Sequence, residues 1–269
     1  MTTLSALAPK APPTILTAIE TASARTGVDF DYLLRQAAVE SSFTSTAQAQ
    51  DSSARGLYQF IDSTWLDLIG RHGAQHGLGN EAAVITRDAQ GKPVVADAQQ
   101  RRDILALRDD PRLSALMAAE YARDNRQHLE QALGRKVAGN ELYLAHFLGP
   151  GGATRLLQRE QQQPNHSAAA LLPAAARANR AVFFAKGKAL SVADIVDRFA
   201  GTFGAREAAT GGNSPPRDTA TLAAMTTALP QGDAFTTTRP QALLAHTLLR
   251  SLQRAETPGT KSPSQRWEA

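Results

Sequence analysis

The chain contains no cysteine among its 269 residues. That absence excludes disulfide bonds, zinc sites built on thiolates and cysteine nucleophiles together. The sequence also lacks any run of about eighteen apolar residues, which is the length that a membrane-spanning helix needs. We therefore expect no membrane insertion.

Aromatic residues are scarce, at 6% of the chain, and the net charge of +4 is spread along it without clusters of Lys and Arg. Nucleic acids are bound by basic patches with interleaved aromatic side chains, so we expect no nucleic-acid partner. The N-terminus has no positively charged segment followed by a continuous apolar segment. The sequence therefore predicts no Sec-type signal peptide.

What is present is the composition of a globular protein, with 42% hydrophobic and 20% charged residues. Three prolines within 1–13 predict an irregular N-terminal arm. Helical periodicity extends over 14–203, the predicted folded body. Thr, Pro, Gly and Ser dominate 204–269, which predicts a mostly disordered tail. Within the tail only 241–255 has helical periodicity, and this short amphipathic helix either docks on a partner or packs back on the body.

Start and stop signals divide the body into helices. The predicted N-terminal caps are Thr14, Asp29, Asp110 and Asn140. Pro111, directly after Asp110, strengthens the start of a long helix, because proline is favoured at the first helical position. Residues 70–96 are predicted to be irregular and 167–186 to be one helix. No stretch alternates with a period of two, so the predicted fold class is all-α.

Glu40 is the acidic residue on which the sequence gives most information. On a helical wheel it falls at the edge of an apolar stripe formed by Phe30, Leu33, Leu34 and Ala37. It also stands near the predicted C-terminus of its helix. Partial burial and the negative end of the helix dipole both favour the protonated carboxylic acid. The sequence therefore predicts a working acid at this position.

Three short runs resemble motifs of the lytic transglycosylases of the soluble (SLT) type. The runs are Glu40-Ser41-Ser42-Phe43, then Gly56-Leu57-Tyr58-Gln59-Phe60, then AHFLGPGG at 145–152. In that family a Glu-Ser pair ends a helix, a Gly-Leu-Met-Gln-like motif follows, and an Ala-Tyr-Asn-x-Gly-Pro-Gly-like motif comes later. The order and approximate spacing agree with those of the family over the predicted body.

The resemblance implies an all-α, lysozyme-like domain of the goose-type/SLT kind. It also implies cleavage of the β-1,4 bond between N-acetylmuramic acid and N-acetylglucosamine in peptidoglycan, which leaves a 1,6-anhydromuramyl end. Glu40 matches the catalytic acid/base of the family, and Gln59 matches the glutamine that contacts the substrate. Tyr58 replaces the usual Met, whereas His146 and Phe147 replace the Tyr and Asn of the third motif.

Glycosidic cleavage needs an acid that protonates the leaving oxygen, and usually a second carboxylate. A 2-acetamido sugar can replace that carboxylate by attacking its own anomeric carbon, so that Glu40 acts first as the acid and then as a base on the 6-hydroxyl. One alternative is a muramidase that uses water with Asp51 or Glu120 as the second carboxylate. Another is a non-catalytic peptidoglycan-binding or assembly module, suggested by the replacements at His146 and Phe147.

The candidate substrate-binding residues surround the three motifs or share apolar helix faces. They are Ser41, Ser42, Ser52, Tyr58, Gln59, Phe60, Glu120, Tyr121, Tyr143, His146 and Phe147. The serines either hold the carboxylate or the sugar, or they belong to a solvated loop. Gln59 stands in an apolar run, where an unpaired amide costs about 1–3 kcal/mol, so we expect a substrate or backbone partner. The aromatic residues either stack on sugars or belong to the core, and His146 either contacts Glu40 or fills space.

His72 and His76 have i, i+4 spacing, but Gly-rich surroundings and the lack of an obvious third ligand predict no metal site. We expect no cofactor. Peptidoglycan glycan strands are the expected partner, which places the protein in the cell envelope (periplasm). Because no Sec-type signal is predicted, we expect delivery through a flagellar or other specialised secretion apparatus, or with a phage particle. The tail is the candidate docking segment.

Overall fold

The computed structural model describes residues 10–50 and 52–203. Within these residues the chain is mostly helical, as the predicted all-α class requires. The tail with its helix at 241–255, the first nine residues of the N-terminal arm, and Asp51 lie outside the described residues.

Helices dominate both halves of the described chain. The helices of the first half are α1 (Pro13–Thr26), α2 (Phe30–Ser41), α3 (Asp62–His72), α4 (Gly79–Ala83), α5 (Ala98–Ala106) and α6 (Pro111–Leu133). Those of the second half are α7 (Gly139–Leu148), α8 (Pro150–Gln162), α9 (Ala168–Leu171), α10 (Pro173–Ala178), α11 (Arg180–Phe183) and α12 (Val192–Phe203). The strands are β1 (Thr86–Arg87), β2 (Pro93–Val94), β3 (Phe184–Ala185) and β4 (Lys188–Ala189), and 3₁₀ turns cover Gly73–His76 and Leu107–Asp109.

Helix α6 is the longest element and packs against α1, α2, α3, α7 and α8. Its start is fixed by the predicted cap, because the Asp110 carboxylate accepts hydrogen bonds from the backbone N–H groups of Arg112 and Leu113. Its core face buries Met117 and Leu129 completely. Burial of each such side chain stabilises the fold by about 1.5–3 kcal/mol. The central helix therefore organises the core on which α2 is placed.

Two of the predicted helix caps are wrong. Helix α1 begins one residue before Thr14, after Pro12, and no side chain caps it. Pro13, the first residue of the helix, has no backbone N–H, so one fewer N–H group at this end requires a hydrogen-bond partner. Helix α7 begins after Ala138, so Asn140 lies inside the helix and is buried. In α7 Glu141 completes the first turn, because its carboxylate accepts from the Ala138 N–H at 2.9 Å.

The structure contains two antiparallel hairpins, β1–β2 and β3–β4, which the hydrophobic periodicity of the sequence did not predict. Each strand has two residues, which is too short for an alternating pattern. Hairpin β1–β2 lies with α4 in the stretch 70–96, predicted to be irregular. The single helix predicted at 167–186 is instead α9, α10 and α11, since Pro173 disfavours helical geometry in the residue before it. Among the described residues, no helix combines the length and apolar character needed to cross a bilayer.

Candidate active site

Helix α2 places three polar side chains, Tyr32, Gln36 and Glu40, at intervals of four residues. Residues four apart lie on the same side of a helix, so these side chains form one row facing α6 and α7. All three are buried, and the row begins beside Asp29, which caps α2 by accepting from the Tyr32 N–H at 2.8 Å. Only Glu40 of this row was predicted from the sequence. The four-residue spacing is the signal that marks the other two.

The Glu40 carboxyl lies between two side chains of α7. The Tyr143 hydroxyl donates to Glu40 Oε1 at 3.4 Å, and His146 Nε2 lies 3.3 Å from the same oxygen. The His146 contact is close but off the line of a hydrogen bond, and Nε2 has no aligned partner among the described residues. The Glu40 side chain is 2% exposed. Of the two roles considered for His146, the structure supports contact with Glu40.

Burial raises the pKa of Glu40 above its ordinary value of 4.5. Desolvation is the largest cause, and contacts with His146 and Tyr143 oppose it by favouring the carboxylate. Burial and the charge of Glu40 also raise the pKa of Tyr143, so this residue stays a neutral phenol that can donate. Tyr32 has a raised pKa for the same two reasons. Burial thus favours the protonated, neutral form of the Glu40 carboxyl.

The imidazole of His146 is held on three sides. Gln36 Nε2 lies 3.2 Å from His146 Nδ1, within hydrogen-bonding distance. The Tyr143 ring stacks on the imidazole at 5.7 Å between centroids, and Tyr121 meets it edge-on at the same distance. Tyr121 and Tyr143, for which the sequence left a sugar groove and the core open, therefore pack against His146 in this structure.

The chain bends sharply after Glu40. Ser42 and Phe43 both adopt left-handed backbone conformations, with φ of 51° and 66°. Such conformations cost about 1–3 kcal/mol each in residues other than glycine, and they cluster at functional sites. The Ser41 hydroxyl donates to the Leu57 carbonyl at 2.8 Å and so ties the end of α2 to the second motif. Ser42 is exposed beside the acid.

The second motif forms a tight loop beneath α2. Gly56 has a φ of +85°, and a Cβ there would stand 2.1 Å from the Arg108 carbonyl oxygen, so glycine is required. Gln59 is also left-handed, and its Nε2 donates to the carbonyls of Ala47 at 3.0 Å and Gly56 at 2.9 Å. The Gln59 amide therefore has backbone partners, one of the two kinds that we expected. Arg108 fastens the loop by donating to the carbonyls of Ser53 and Phe60.

Several candidate substrate contacts belong to the core instead. Tyr58 is fully buried and donates to the Leu33 carbonyl at 3.2 Å. Phe60 packs against a neighbouring tryptophan, and Phe147 packs against Phe199 at 5.2 Å. Their rings are 0–1% exposed, so none of them presents a face to a sugar. Ser52 accepts from a backbone N–H two residues on, as a turn residue does.

Glu120 is buried in a separate polar cluster. Its carboxylate contacts His76 Nε2 at 2.8 Å and Gln75 Nε2 at 3.0 Å, and it pairs with Arg123. His72 Nδ1 lies 3.8 Å from Glu120 Oε2, and His72 Nε2 lies 2.8 Å from Asp124 Oδ2. The polar partners of Glu120 are thus different from those of Glu40. Among the described residues no group of three or more His, Asp or Glu side chains has the arrangement of a metal site.

No family model matches the chain. The chemical capacity of the site therefore has to be inferred from its geometry. One carboxyl is withdrawn from water and favoured in its protonated form, the Tyr143 hydroxyl donates to it, and His146 Nε2 lies 3.3 Å from the same oxygen. This is the arrangement of a general acid that can afterwards act as a base.

Proposed function

We propose that the protein is a peptidoglycan lytic transglycosylase with a lysozyme-like helical domain and Glu40 as its single acid/base. The observation that carries the proposal is the buried carboxyl of Glu40, whose pKa is raised by desolvation. A glycosidic bond breaks readily only when its leaving oxygen is protonated, and a carboxylic acid serves this step when its pKa lies near the working pH. The three motif resemblances add the substrate class.

In the first step Glu40 gives its proton to the glycosidic oxygen, and the bond from that oxygen to the anomeric carbon of N-acetylmuramic acid breaks. The carbonyl oxygen of the sugar's own 2-acetamido group bonds to the anomeric carbon. In the second step the Glu40 carboxylate takes the proton of the 6-hydroxyl, whose oxygen displaces the acetamido oxygen and closes the 1,6-anhydro ring. Glu40 ends protonated, and no water is consumed.

The neighbours of Glu40 suit this cycle. The carboxylate exists only between the two steps, and a donor that faces it lowers the free energy of that state. The Tyr143 hydroxyl supplies such a donor, and His146 Nε2 lies close enough to the same oxygen to supply a second. Because the Glu40 side chain is 2% exposed, a glycan reaches it only when the surrounding residues open locally. The left-handed residues Ser42 and Phe43 provide a strained bend at that place.

The muramidase alternative requires a second carboxylate beside the cleaved bond. Glu120 is committed to His76, Gln75 and Arg123, and the groups that act on the Glu40 pKa are His146 and Tyr143. These contacts argue against Glu120 as that second carboxylate, and Asp51, the other candidate, lies outside the described residues. The near-complete burial of Glu40 favours the other alternative, a glycan-binding or assembly module that does not cleave.

Replacement of Glu40 by Gln tests the proposal. Gln has the size of the acid but no acidic proton, so we expect loss of about 10²–10⁴-fold or more in the release of muropeptides from purified sacculi. Glu20→Gln is the matched control, because Glu20 is exposed on α1. Equal release by wild type and Glu40→Gln would exclude Glu40 as the acid. Sacculus binding without release by the wild type would support the non-catalytic module.

The proposed substrate also indicates where the protein acts. Peptidoglycan lies in the cell envelope, so we propose a periplasmic site of action with glycan strands as the partner. We further propose that the segment 241–255 docks on a secretion or flagellar apparatus, on the basis of its amphipathic sequence pattern alone. Fractionation of cells that express the chain with and without this segment tests the route. Equal recovery of both forms in the envelope would contradict it.

A further inference from the structure

Gln36 is a buried amide one helical turn before Glu40. Its side chain is 2% exposed, and its Nε2 lies 3.2 Å from Nδ1 of His146, on the side of the ring opposite Nε2. The Nε2 atom of the same ring lies 3.3 Å from Glu40. The imidazole therefore stands between two residues of α2 that are four positions apart. None of the three sequence motifs includes Gln36.

The identity of the atom that contacts Nδ1 determines where the histidine carries its hydrogen. An amide nitrogen can only donate, so the Gln36 contact makes Nδ1 an acceptor. A neutral imidazole has one hydrogen, and it then resides on Nε2, facing Glu40. The amide N–H also opposes a second proton on Nδ1, because two hydrogens would meet there.

We propose that Gln36 is a positioning residue that keeps His146 in the neutral, Nε2–H form, so that this hydrogen is donated to the Glu40 carboxylate after the acid has given up its proton. This inference rests on the proposed function of Glu40 as the acid/base. Gln36 acts by orienting the hydrogen of His146 and does not itself contact the substrate.

The resting geometry agrees with a donor that acts only in mid-reaction. In the described structure the Nε2 atom is close to Glu40 Oε1 but not aligned with it for a hydrogen bond. Once Glu40 is ionised, its negative charge attracts the N–H of His146. A small rotation of the imidazole between the Tyr121 and Tyr143 rings then aligns the hydrogen bond. A donor to a charged acceptor in a site shielded from water is stronger than one between neutral groups.

A charged imidazole would harm the first step. It would stabilise the Glu40 carboxylate before the reaction, lower the pKa of Glu40 and so remove the acid. The titratable groups that face the His146 ring are Glu40 from α2, Tyr121 from α6 and Tyr143 from α7. Glu40 is the only carboxyl of that set. The Gln36 amide, which donates to Nδ1, disfavours the protonation of that nitrogen and so the charged form of the ring.

The hydrogen position is measured first, because it needs no activity. Nitrogen-15 NMR of the full-length protein, with His146 assigned through a His146→Phe variant, distinguishes the protonated from the unprotonated ring nitrogens. We expect Nε2 to carry the hydrogen and Nδ1 to be bare at neutral pH. Hydrogen on Nδ1, or on both nitrogens, would overturn the proposal whatever the activity of the protein.

Two substitutions then test the role in the reaction. Gln36→Met removes the donor at nearly constant volume, and we expect kcat to fall about tenfold with KM little changed, as for loss of a supporting contact. Gln36→Glu supplies an acceptor on Nδ1 and favours the doubly protonated ring. We expect it to lower kcat about a hundredfold and to move the alkaline limb of the pH profile to lower pH.

Gln161→Met is the control, because Gln161 is exposed on α8, and it should retain the wild-type kcat and pH profile. Thermal melts identify any variant that does not fold. If Gln36→Glu fails to fold, the Gln36→Met result decides. A Gln36→Met enzyme with wild-type kcat would contradict the role. A wild type that releases no muropeptides would instead refute the proposed function, while the NMR result on His146 stands by itself.

Discussion

The burial of Glu40 links the proposed acid to a measurable property of the folded protein. The raised pKa means that the folded chain holds this proton at pH values where the unfolded chain, with an ordinary Glu, has released it. The folded state therefore binds more protons, and the contribution of Glu40 to stability falls as pH rises from about 4.5 through the folded-state pKa. Above that range the buried carboxylate destabilises the fold.

Glu40→Gln removes this penalty, because the amide is neutral at every pH. We expect the variant to melt above the wild type at about pH 8, and the difference to disappear at about pH 4. Each kcal/mol of the difference corresponds to roughly 2–4 °C in Tm for a domain of this size. Calorimetry at the two pH values measures it. A variant that melts below the wild type at the higher pH would show that the carboxylate is well stabilised and that Glu40 is not a poised acid.

At the residue scale, the sequence predicted the position of Glu40 but not its surroundings. The apolar stripe of α2 was sufficient to place the acid at a buried edge. Tyr32 and Gln36 were missed because their side chains are polar and interrupt that stripe. Their partners lie on α6 and α7, more than eighty residues away, and no local pattern encodes such pairings. For Tyr58, Phe60 and Phe147 the sequence left sugar stacking and core packing open, and the structure places all three in the core.

At the scale of elements, the loop that follows α2 depends on a close backbone approach at Gly56. An Ala at this position would have to adopt a positive φ, and its Cβ would lie 2.1 Å from the Arg108 carbonyl oxygen. We expect Gly56→Ala to lower the free energy of unfolding by about 3 kcal/mol or more, since strain and a steric clash add. Denaturant titration measures the loss. The sacculus activity should fall as well, because the loop is tied to α2 through Ser41 and Leu57.

Gly27→Ala is the matched control for this prediction. Gly27 has a similar φ of +72°, but no atom outside its neighbours stands within 4 Å of the added Cβ. Its cost is the left-handed backbone alone, about 1–2 kcal/mol. Equal losses for the two variants would show that the Arg108 contact does not constrain the loop.

Element boundaries were predictable where a local hydrogen bond sets them. Asp29 and Asp110 cap their helices because a carboxylate next to free N–H groups is sufficient for that purpose. The caps of α1 and α7 were each misplaced by two residues, because Pro13 opens α1 without a side-chain cap and Glu141, within the first turn of α7, takes over from a cap there. The hairpins β1–β2 and β3–β4 are set by turns rather than by alternation, so a search for period two does not find them.

At the scale of the whole molecule, the Glu120 cluster joins the α3 region to the central helix α6. His76 and Gln75 come from the 3₁₀ turn after α3, and Glu120 comes from α6. Glu120→Gln keeps the volume but removes the charge that pairs with Arg123. We expect a stability loss of about 1–3 kcal/mol, as for a buried polar group that loses its partner, and retention of the specific activity.

The same variant separates two chemistries. A muramidase that used Glu120 as its second carboxylate would lose activity in Glu120→Gln as severely as in Glu40→Gln. In the single-carboxylate cycle the activity per folded molecule stays near that of the wild type. Turnover of sacculi at a temperature well below the melting transition, normalised to folded protein, measures the difference.

The helical class of the described residues was predictable from periodicity. The arrangement of helices around α6 was not, because it depends on contacts between elements that are distant in sequence. The cluster of Gln36, Tyr143 and His146 around Glu40 exists only through that arrangement. The chemistry of the site thus follows from the whole fold rather than from any one motif.

Mass spectrometry of the muropeptides released from purified sacculi tests the central claim most directly. The account predicts 1,6-anhydromuramyl ends, which are lighter by one water than the reducing ends of a hydrolytic product. It also predicts that Glu40→Gln releases neither product and that Glu20→Gln releases the same product as the wild type. Reducing ends from the wild-type protein would contradict the single-carboxylate mechanism and would require a second catalytic carboxylate.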